Sequence, residues 1–325
     1  MQTKQSRETT AQLDIQAIRA AHERIRPYIH RTPVLTSSRL NDASGAALFF
    51  KCENLQKIGA FKARGATNAV FSLDETSARR GVATHSSGNH AQAVAVAARH
   101  RAIPAYIVMP SNSAKVKIAA VEGYGAKIVF CEPTLSAREK TCEEVIAKTG
   151  ATLIHSFENR DVMAGQGTAA IELLEDVPDL DVIMCPIGGG GLLSGTAVAA
   201  KSMRPNIEVI GAEPANADDA AQSFSAGRLI ANTTTTTIAD GLRTNVGAPN
   251  FAIIQEFVDD IVTVREESIV AAMRTIWEAM KIIVEPSAAV PFAAILENKI
   301  NAGGRRVGII VSGGNVDLDA LPWTT

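Results

Sequence analysis

The sequence predicts an α/β protein built on parallel sheets. Three observations carry this: short apolar runs alternate with helix-length stretches, prolines close several of those runs, and aromatic residues are scarce. Aromatics are 5% of the 325 residues, against 46% apolar and 20% charged. That is the composition of a soluble Ala/Val/Ile-rich α/β protein. A chain this long has room for two medium domains and a substantial core.

Taken in order, apolar residues at helical spacing (Ile15, Ile18, Ala21, Ile25) predict a helix over 14–29, stopped before Pro33. A compact strand is expected over 48–52 and a helix over 61–73. From there the alternation becomes regular. Strands over 81–85, 105–109, 127–131 and 152–155 are separated by helices over 91–99, 114–124 and 136–148, with Pro110 and Pro133 ending two of the strands. Such alternation indicates parallel βαβ units with right-handed crossovers. The second half repeats it. A helix over 164–174, a strand over 182–185, a helix after Gly191 and a strand over 208–213 come first. Helices over 268–280 and 286–297 and a last strand over 307–311 follow. Residues 229–237, with five consecutive threonines, read as a surface loop. No Gly/Pro/Ser-rich linker marks a boundary, so one sheet inserted within another fits better than two beads on a string. Residues 1–75 and 157–325 are expected to form a large domain and residues 76–156 a small one.

A formal net charge of −2 provides no electrostatic footprint for nucleic acid or an anionic membrane. The four cysteines, Cys52, Cys131, Cys142 and Cys185, are scattered with no Cys-x-x-Cys pair, which argues against structural zinc and suits a reducing, cytoplasmic location. Cys131 and Cys185 are expected as buried small hydrophobes in strands. Met1 to Thr10 carry no apolar core of a signal peptide, and no apolar run approaches bilayer length.

Four stretches carry chemistry. The first holds Phe61-Lys62-Ala63-Arg64-Gly65, where a lysine at a helix start against apolar surface has a lowered pKa and a nucleophilic amine. An ordinary surface lysine fits the same neighbours. In the second, Gly188, Gly189, Gly190 and Gly191 stand between an apolar strand and a helix; several N–H groups and the helix dipole there suit a phosphate. Gly189-x-Gly191, with Glu213 at the end of the next strand, also resembles a loose dinucleotide fingerprint, which leaves a nucleotide-dependent dehydrogenase open. The third stretch, His85-Ser86-Ser87-Gly88-Asn89-His90, offers donors at a helix N-terminus, for a carboxylate, a ring oxygen or simple capping. The fourth, Val311-Ser312-Gly313-Gly314-Asn315, closes the last strand at its carboxyl end, where open α/β sheets bind ligands. A phosphate cradle, a nucleophilic lysine, a polar turn and a hydroxyl together match pyridoxal phosphate.

On these four motifs the chain, from about residue 30 to 319, resembles the fold-type II pyridoxal-phosphate enzymes of the serine/threonine dehydratase and serine racemase family. The resemblance implies two parallel-sheet α/β domains of the tryptophan synthase β-subunit type, with the cofactor in the cleft between them. It implies that Lys62 binds the cofactor aldehyde and that Phe61 packs by the ring. Asn89 would meet the phenolic oxygen, Gly188, Gly189, Gly190, Gly191 and Leu192 the phosphate, and Ser312 the pyridine nitrogen. Ser86, Ser87 and His90 would line the substrate carboxylate pocket. Glu213, the Ala217 carbonyl and Asp219 resemble the family's divalent-cation loop, whose hard oxygens suit Mg²⁺, Ca²⁺ or Mn²⁺; an acidic helix start is the plain alternative. The implied activity is β-elimination from a β-hydroxy amino acid (serine, threonine or 3-hydroxyaspartate) to a 2-oxo acid and ammonia. Serine or aspartate racemisation through Lys62 and Ser87 is the alternative. Arg138 is either a ligand for a second substrate carboxylate or a helix-surface arginine. Ala60 departs from the serine that many relatives carry there. With no C-terminal regulatory extension, the chain is expected to resemble the short catabolic and racemase-type members, and a homodimer is expected.

Overall fold

The computed structural model describes residues 13–233 and 235–323; Met1 to Thr10, and the signal-peptide expectation with them, lie outside the described residues, as does Thr234. The first helix, α1 (Ile15–Ile25), is capped by Asp14, whose carboxylate accepts from the Ala17 N–H at 2.8 Å. It ends short of 29 because Pro27 has no N–H to donate to the helix. The chain then forms β1 (Val34–Leu35), α2 (Ser38–Ser44), β2 (Ala47–Cys52) and α3 (Lys62–Ser72). After α4 (Glu75–Arg80) comes the expected alternation: β3 (Val82–His85), α5 (Asn89–Arg101), β4 (Ala105–Pro110), α6 (Lys115–Gly123), β5 (Lys127–Cys131), α7 (Leu135–Thr149) and β6 (Thr152–Leu153). The second half holds α8 (Arg160–Asp176), β7 (Val182–Pro186), α9 (Gly191–Met203), β8 (Glu208–Pro214) and α10 (Asp219–Ala226). After these come α11 (Ala248–Phe257), β9 (Asp260–Val264), α12 (Glu266–Met280), α13 (Pro286–Leu296) and β10 (Arg306–Val311).

Two sheets result. One has six strands in the order β1-β2-β10-β7-β8-β9, and the other four in the order β5-β4-β3-β6. Among the described residues, every pair of these strands is parallel except β1 with β2. The four-stranded sheet takes all its strands from residues 82–153, inside the span expected for the insertion. Every residue of β7 is buried. Ile183 and Cys185 join the apolar cluster on one face, Val182 and Met184 the cluster on the other, as the two-residue period of a sheet covered on both sides requires.

Six elements were not among those expected: β1, α2, α4, α10, α11 and β9. Around α11, Phe251, Ile253, Ile254 and Phe257 leave no single apolar stripe, so its period is hidden. α10 and β9 are short and mixed. The described threonines of the run form no regular structure, yet the stretch is more than a surface loop: Thr237 is buried, and Asn232 just ahead donates to Asp219 at 2.5 Å. Cys131 is half-exposed and not buried, because β5 is an edge strand.

Close helix packing positions the site. A Cβ on Gly165 of α8 would fall 2.6 Å from the Gly65 Cα of α3, and one on Gly195 of α9 2.4 Å from the Met163 carbonyl of α8. Backbones that close leave no room for side chains, so α3, α8 and α9 stack as one unit. Beneath them lies a buried ionic cluster. Arg64 donates to both oxygens of Glu53 (2.7 and 2.8 Å), both oxygens of Glu172 (2.8 and 2.7 Å) and the Thr168 hydroxyl (3.1 Å). Lys51 adds a bond to Glu172 at 2.7 Å. All five guanidinium N–H positions are satisfied two residues from Lys62.

Candidate active site

Lys62 is the first residue of α3. The helix start is tied to the end of β10, because the Phe61 N–H donates to the Ser312 carbonyl at 2.9 Å. The Lys62 side chain keeps a partial opening to a cleft of about 1330 Å³. Enough protein surrounds its amine that burial pushes the pKa down to about 8, with the Glu285 charge opposing. The amine donates to the Ser156 carbonyl at 3.0 Å, and it stands 5.0 Å from the Phe61 ring centroid. Lys62 is therefore no ordinary surface lysine.

The glycine run borders the same cleft. Gly190 has φ +91°, the left-handed region, and turns the chain from β7 into α9. A Cβ on Gly189 would lie 2.3 Å from the Phe157 ring. The Gly189 carbonyl is pulled away from the cleft by the Asn250 amide (2.5 Å) and the Gly247 N–H (3.2 Å). Among the described residues, the N–H groups of Gly188, Gly189, Gly190, Gly191 and Leu192 meet no protein acceptor. Donors gathered at a helix N-terminus suit a phosphate group.

The turn after β3 faces the cleft from the other sheet. The Ser86 hydroxyl accepts from the Gly88 N–H at 3.2 Å and so caps its own turn. Ser87 lines the cleft and makes no hydrogen bond to the described residues. His90 lies 2.9 Å from the Ile154 carbonyl through Nε2, and burial pushes its pKa down to about 3. The ring is thus neutral, Nε2 carries the proton, and Nδ1 can only accept. A carboxylate at this turn is met by N–H and hydroxyl donors and not by that ring.

Asn89 donates to both Glu285 oxygens at 3.2 Å and accepts from Asn315 Nδ2 at 2.8 Å. Asn89 also lines the cleft. Burial raises the Glu285 pKa to about 7 despite the Asn89 bond. Ser312 is buried at the cleft wall. Arg138 also lines the cleft, and no carboxylate among the described residues pairs with it.

Glu213 and Asp219 lie elsewhere. Glu213 is buried and accepts from the Ala220 and Ala221 N–H groups at 3.3 and 3.0 Å; Asp219 accepts from the Val246 N–H at 2.7 Å and from Asn232. Burial, reinforced by Asp219, holds the Glu213 pKa well above the carboxylate range. Glu213 does not face the cleft beside the glycine run, so the ribose-binding reading fails.

The residues facing the cleft thus fit pyridoxal phosphate: free N–H groups for the phosphate, an amine of lowered pKa for the aldehyde, and the Asn89 amide and Ser312 hydroxyl at the cleft wall for the ring. A family model for pyridoxal-phosphate dependent enzymes matches residues 25–313. The chain belongs to that family. It is similar to the serine racemase of Arabidopsis thaliana, 51% identical over 313 residues covering 95% of each chain. It is equally similar to the beta-hydroxyaspartate dehydratase of Paracoccus denitrificans (strain Pd 1222), 51% identical over 304 residues, 94% of this chain and 96% of that one. The crystal structure of serine racemase from Dictyostelium discoideum superposes with a TM-score of 0.91 at 51% identity, covering 94% of this chain and 99% of that one. The fold is that of the fold-type II pyridoxal-phosphate enzymes, and the dehydrogenase alternative falls.

The lysine stretch, the glycine run and the Ser86–Asn89 turn are legible as runs of residues. Glu285, His155, Phe157 and Asn250 escaped that reading. Only Glu285 carried a signal, as a lone acid in the apolar run Ile282-Ile283-Val284-Glu285-Pro286.

Proposed function

We propose that this pyridoxal-phosphate enzyme eliminates water from a β-hydroxy amino acid to yield a 2-oxo acid and ammonia. The observation that carries the reading is the Lys62 amine, its pKa lowered to about 8, facing the same cleft as the glycine run and the Ser86–Asn89 turn. When bound, the cofactor supplies an electron sink for charge at the substrate α-carbon. The N–H groups of Gly188, Gly189, Gly190, Gly191 and Leu192 hold its phosphate, Asn89 its ring oxygen and Ser312 its ring nitrogen, while Phe61 packs against it. The N–H and hydroxyl groups of Ser86 and Ser87 orient the substrate carboxylate, with His90 behind them. Lys62 Nζ takes the α-proton.

Serine, threonine and 3-hydroxyaspartate fall in this class. The unpaired Arg138 supports the last, because a guanidinium binds a second carboxylate bidentately. Racemisation is a second reading, favoured by the free hydroxyl of Ser87, which supplies a second proton donor at the α-carbon. The test measures 2-oxo acid, ammonia and enantiomer composition from serine, threonine and each 3-hydroxyaspartate stereoisomer. Ser87→Ala is expected to cut racemisation by about 10²-fold or more and elimination by far less. No 2-oxo acid from any of these substrates sinks the proposal.

Glu213, the Ala217 carbonyl and Asp219 are proposed to hold Mg²⁺ (Ca²⁺ or Mn²⁺ being the alternatives). Burial raises the pKa of both carboxylates, and the Asp219 charge adds to it at Glu213; a bound cation would offset that cost. Saturating Mg²⁺ is then expected to raise stability by about 2–3 kcal/mol, seen as a higher melting temperature that a chelator reverses and Asp219→Asn abolishes. We assign residues 1–75 with 157–325 to the large domain and 76–156 to the small one, supported by the confinement of one sheet to 82–153. The four free thiols support a cytoplasmic location, and the family resemblance supports a homodimer.

A further inference from the structure

Residues 155–158 form the turn between β6 and α8, and this turn touches both halves of the site. On one side the Ser156 carbonyl accepts from Lys62 Nζ at 3.0 Å. On the other, the Phe157 ring lies against Gly189, and the Phe157 carbonyl accepts at 3.2 Å from Asn250, the amide that also holds the Gly189 carbonyl. One side chain sets the shape of the turn. His155 Nδ1 accepts from the Glu158 N–H at 3.0 Å and more loosely from the Phe157 N–H at 3.5 Å. Its ring stands edge-on to Phe157 at 4.7 Å and to His85 at 6.1 Å, which fixes the plane in which Nδ1 accepts.

We infer that His155 is a positioning residue for Lys62: by folding the 155–158 turn it aims the Ser156 carbonyl at the lysine amine and fixes where that amine stands whenever it is free. Among the described residues no carboxylate pairs with Lys62, and the Ser156 carbonyl is the hydrogen-bond acceptor its amine reaches. A neutral amine has two N–H groups and one lone pair. Committing one N–H to a fixed carbonyl stops rotation about Cε–Nζ and holds the lone pair in a set direction. After the amine takes a proton, the same carbonyl accepts from the ammonium, so the charged form keeps a partner where burial disfavours it. This rests on the reading of Lys62 proposed above.

The test uses the protein freed of cofactor. Pyridoxal phosphate is added, the mixture is quenched with borohydride at intervals, and label on the Lys62 peptide is followed by mass spectrometry. His155→Asn keeps an acceptor at the Nδ1 position, His155→Gln moves it one bond outward, and His155→Leu removes it. The Leu and Gln variants are expected to capture the cofactor about tenfold more slowly and to lose kcat by a similar factor, with KM within about threefold. The Asn variant is expected to stay within about threefold of the unaltered protein on every measure. Unchanged capture in the Gln and Leu variants, or equal losses in Asn and Gln, overturns the assignment. Should the Leu variant fail to fold, the Asn and Gln pair decides. If the unaltered protein captures no cofactor at Lys62, the reading of the site itself falls, a separate outcome.

Discussion

Lys62→Ala is expected to lower elimination by about 10³-fold or more and to remove the long-wavelength absorbance of lysine-bound pyridoxal phosphate. The unaltered amine has its pKa lowered to about 8 by burial. Roughly a tenth of it is neutral at pH 7, against fewer than about one in a thousand at an ordinary lysine pKa. The sign follows from that: only the neutral amine attacks an aldehyde, so cofactor capture by the apoprotein should rise with pH and level off above about 8. Stopped-flow absorbance across that range checks it. A profile still climbing steeply near pH 10 would mean the amine is hydrated like a surface lysine. The variant should still fold, because Lys62 makes no ion pair among the described residues and its one hydrogen bond goes to a backbone carbonyl.

The contrast between Lys62 and Glu285 explains what was legible in the sequence. A phosphate cradle needs several consecutive residues without side chains, and a lysine at a helix mouth needs small neighbours; such demands leave local traces. Glu285 acts on Asn89 from 196 residues away, and His155 acts through a turn whose partners come from α3, the glycine run and α11. Contacts of that span impose no pattern on their neighbours. The same logic separates the elements. Parallel strands and amphipathic helices were visible in their period, but α11 is apolar on several sides, and β9, at the sheet edge, begins with the exposed Asp260. The four-stranded sheet was readable because the alternation over 82–153 is regular. The role of the threonine run was not, because it depends on Asp219 and Glu266, which lie outside the run.

Arg64→Met should cost about 3–5 kcal/mol of folding stability, measured by denaturant titration, although Arg64 touches no ligand. The guanidinium is fully buried between Glu53 and Glu172. Burial alone would push the Glu172 carboxyl upward, but hydrogen bonds from His22 and Arg64 and the charges of Arg64 and Lys51 override it and hold the pKa well below the usual carboxylate range. A depressed carboxylate contributes stability that is present above its unfolded pKa and lost as pH falls through the folded one. In the unaltered protein that contribution should therefore persist at neutral pH and disappear in acid. Removing Arg64 leaves Lys51 to neutralise two buried acids, and Glu53 or Glu172 must take up a proton or draw in water. The acid limb of the stability curve should then move toward neutral pH. Because Arg64 stands two residues from Lys62 on the first turn of α3, the variant should also take up pyridoxal phosphate more slowly, and Glu53→Gln introduced beside it should return part of the stability by removing the uncompensated charge. A variant as stable as the parent at every pH would show that the cluster specifies the helix position without stabilising the fold, as buried ion pairs sometimes do.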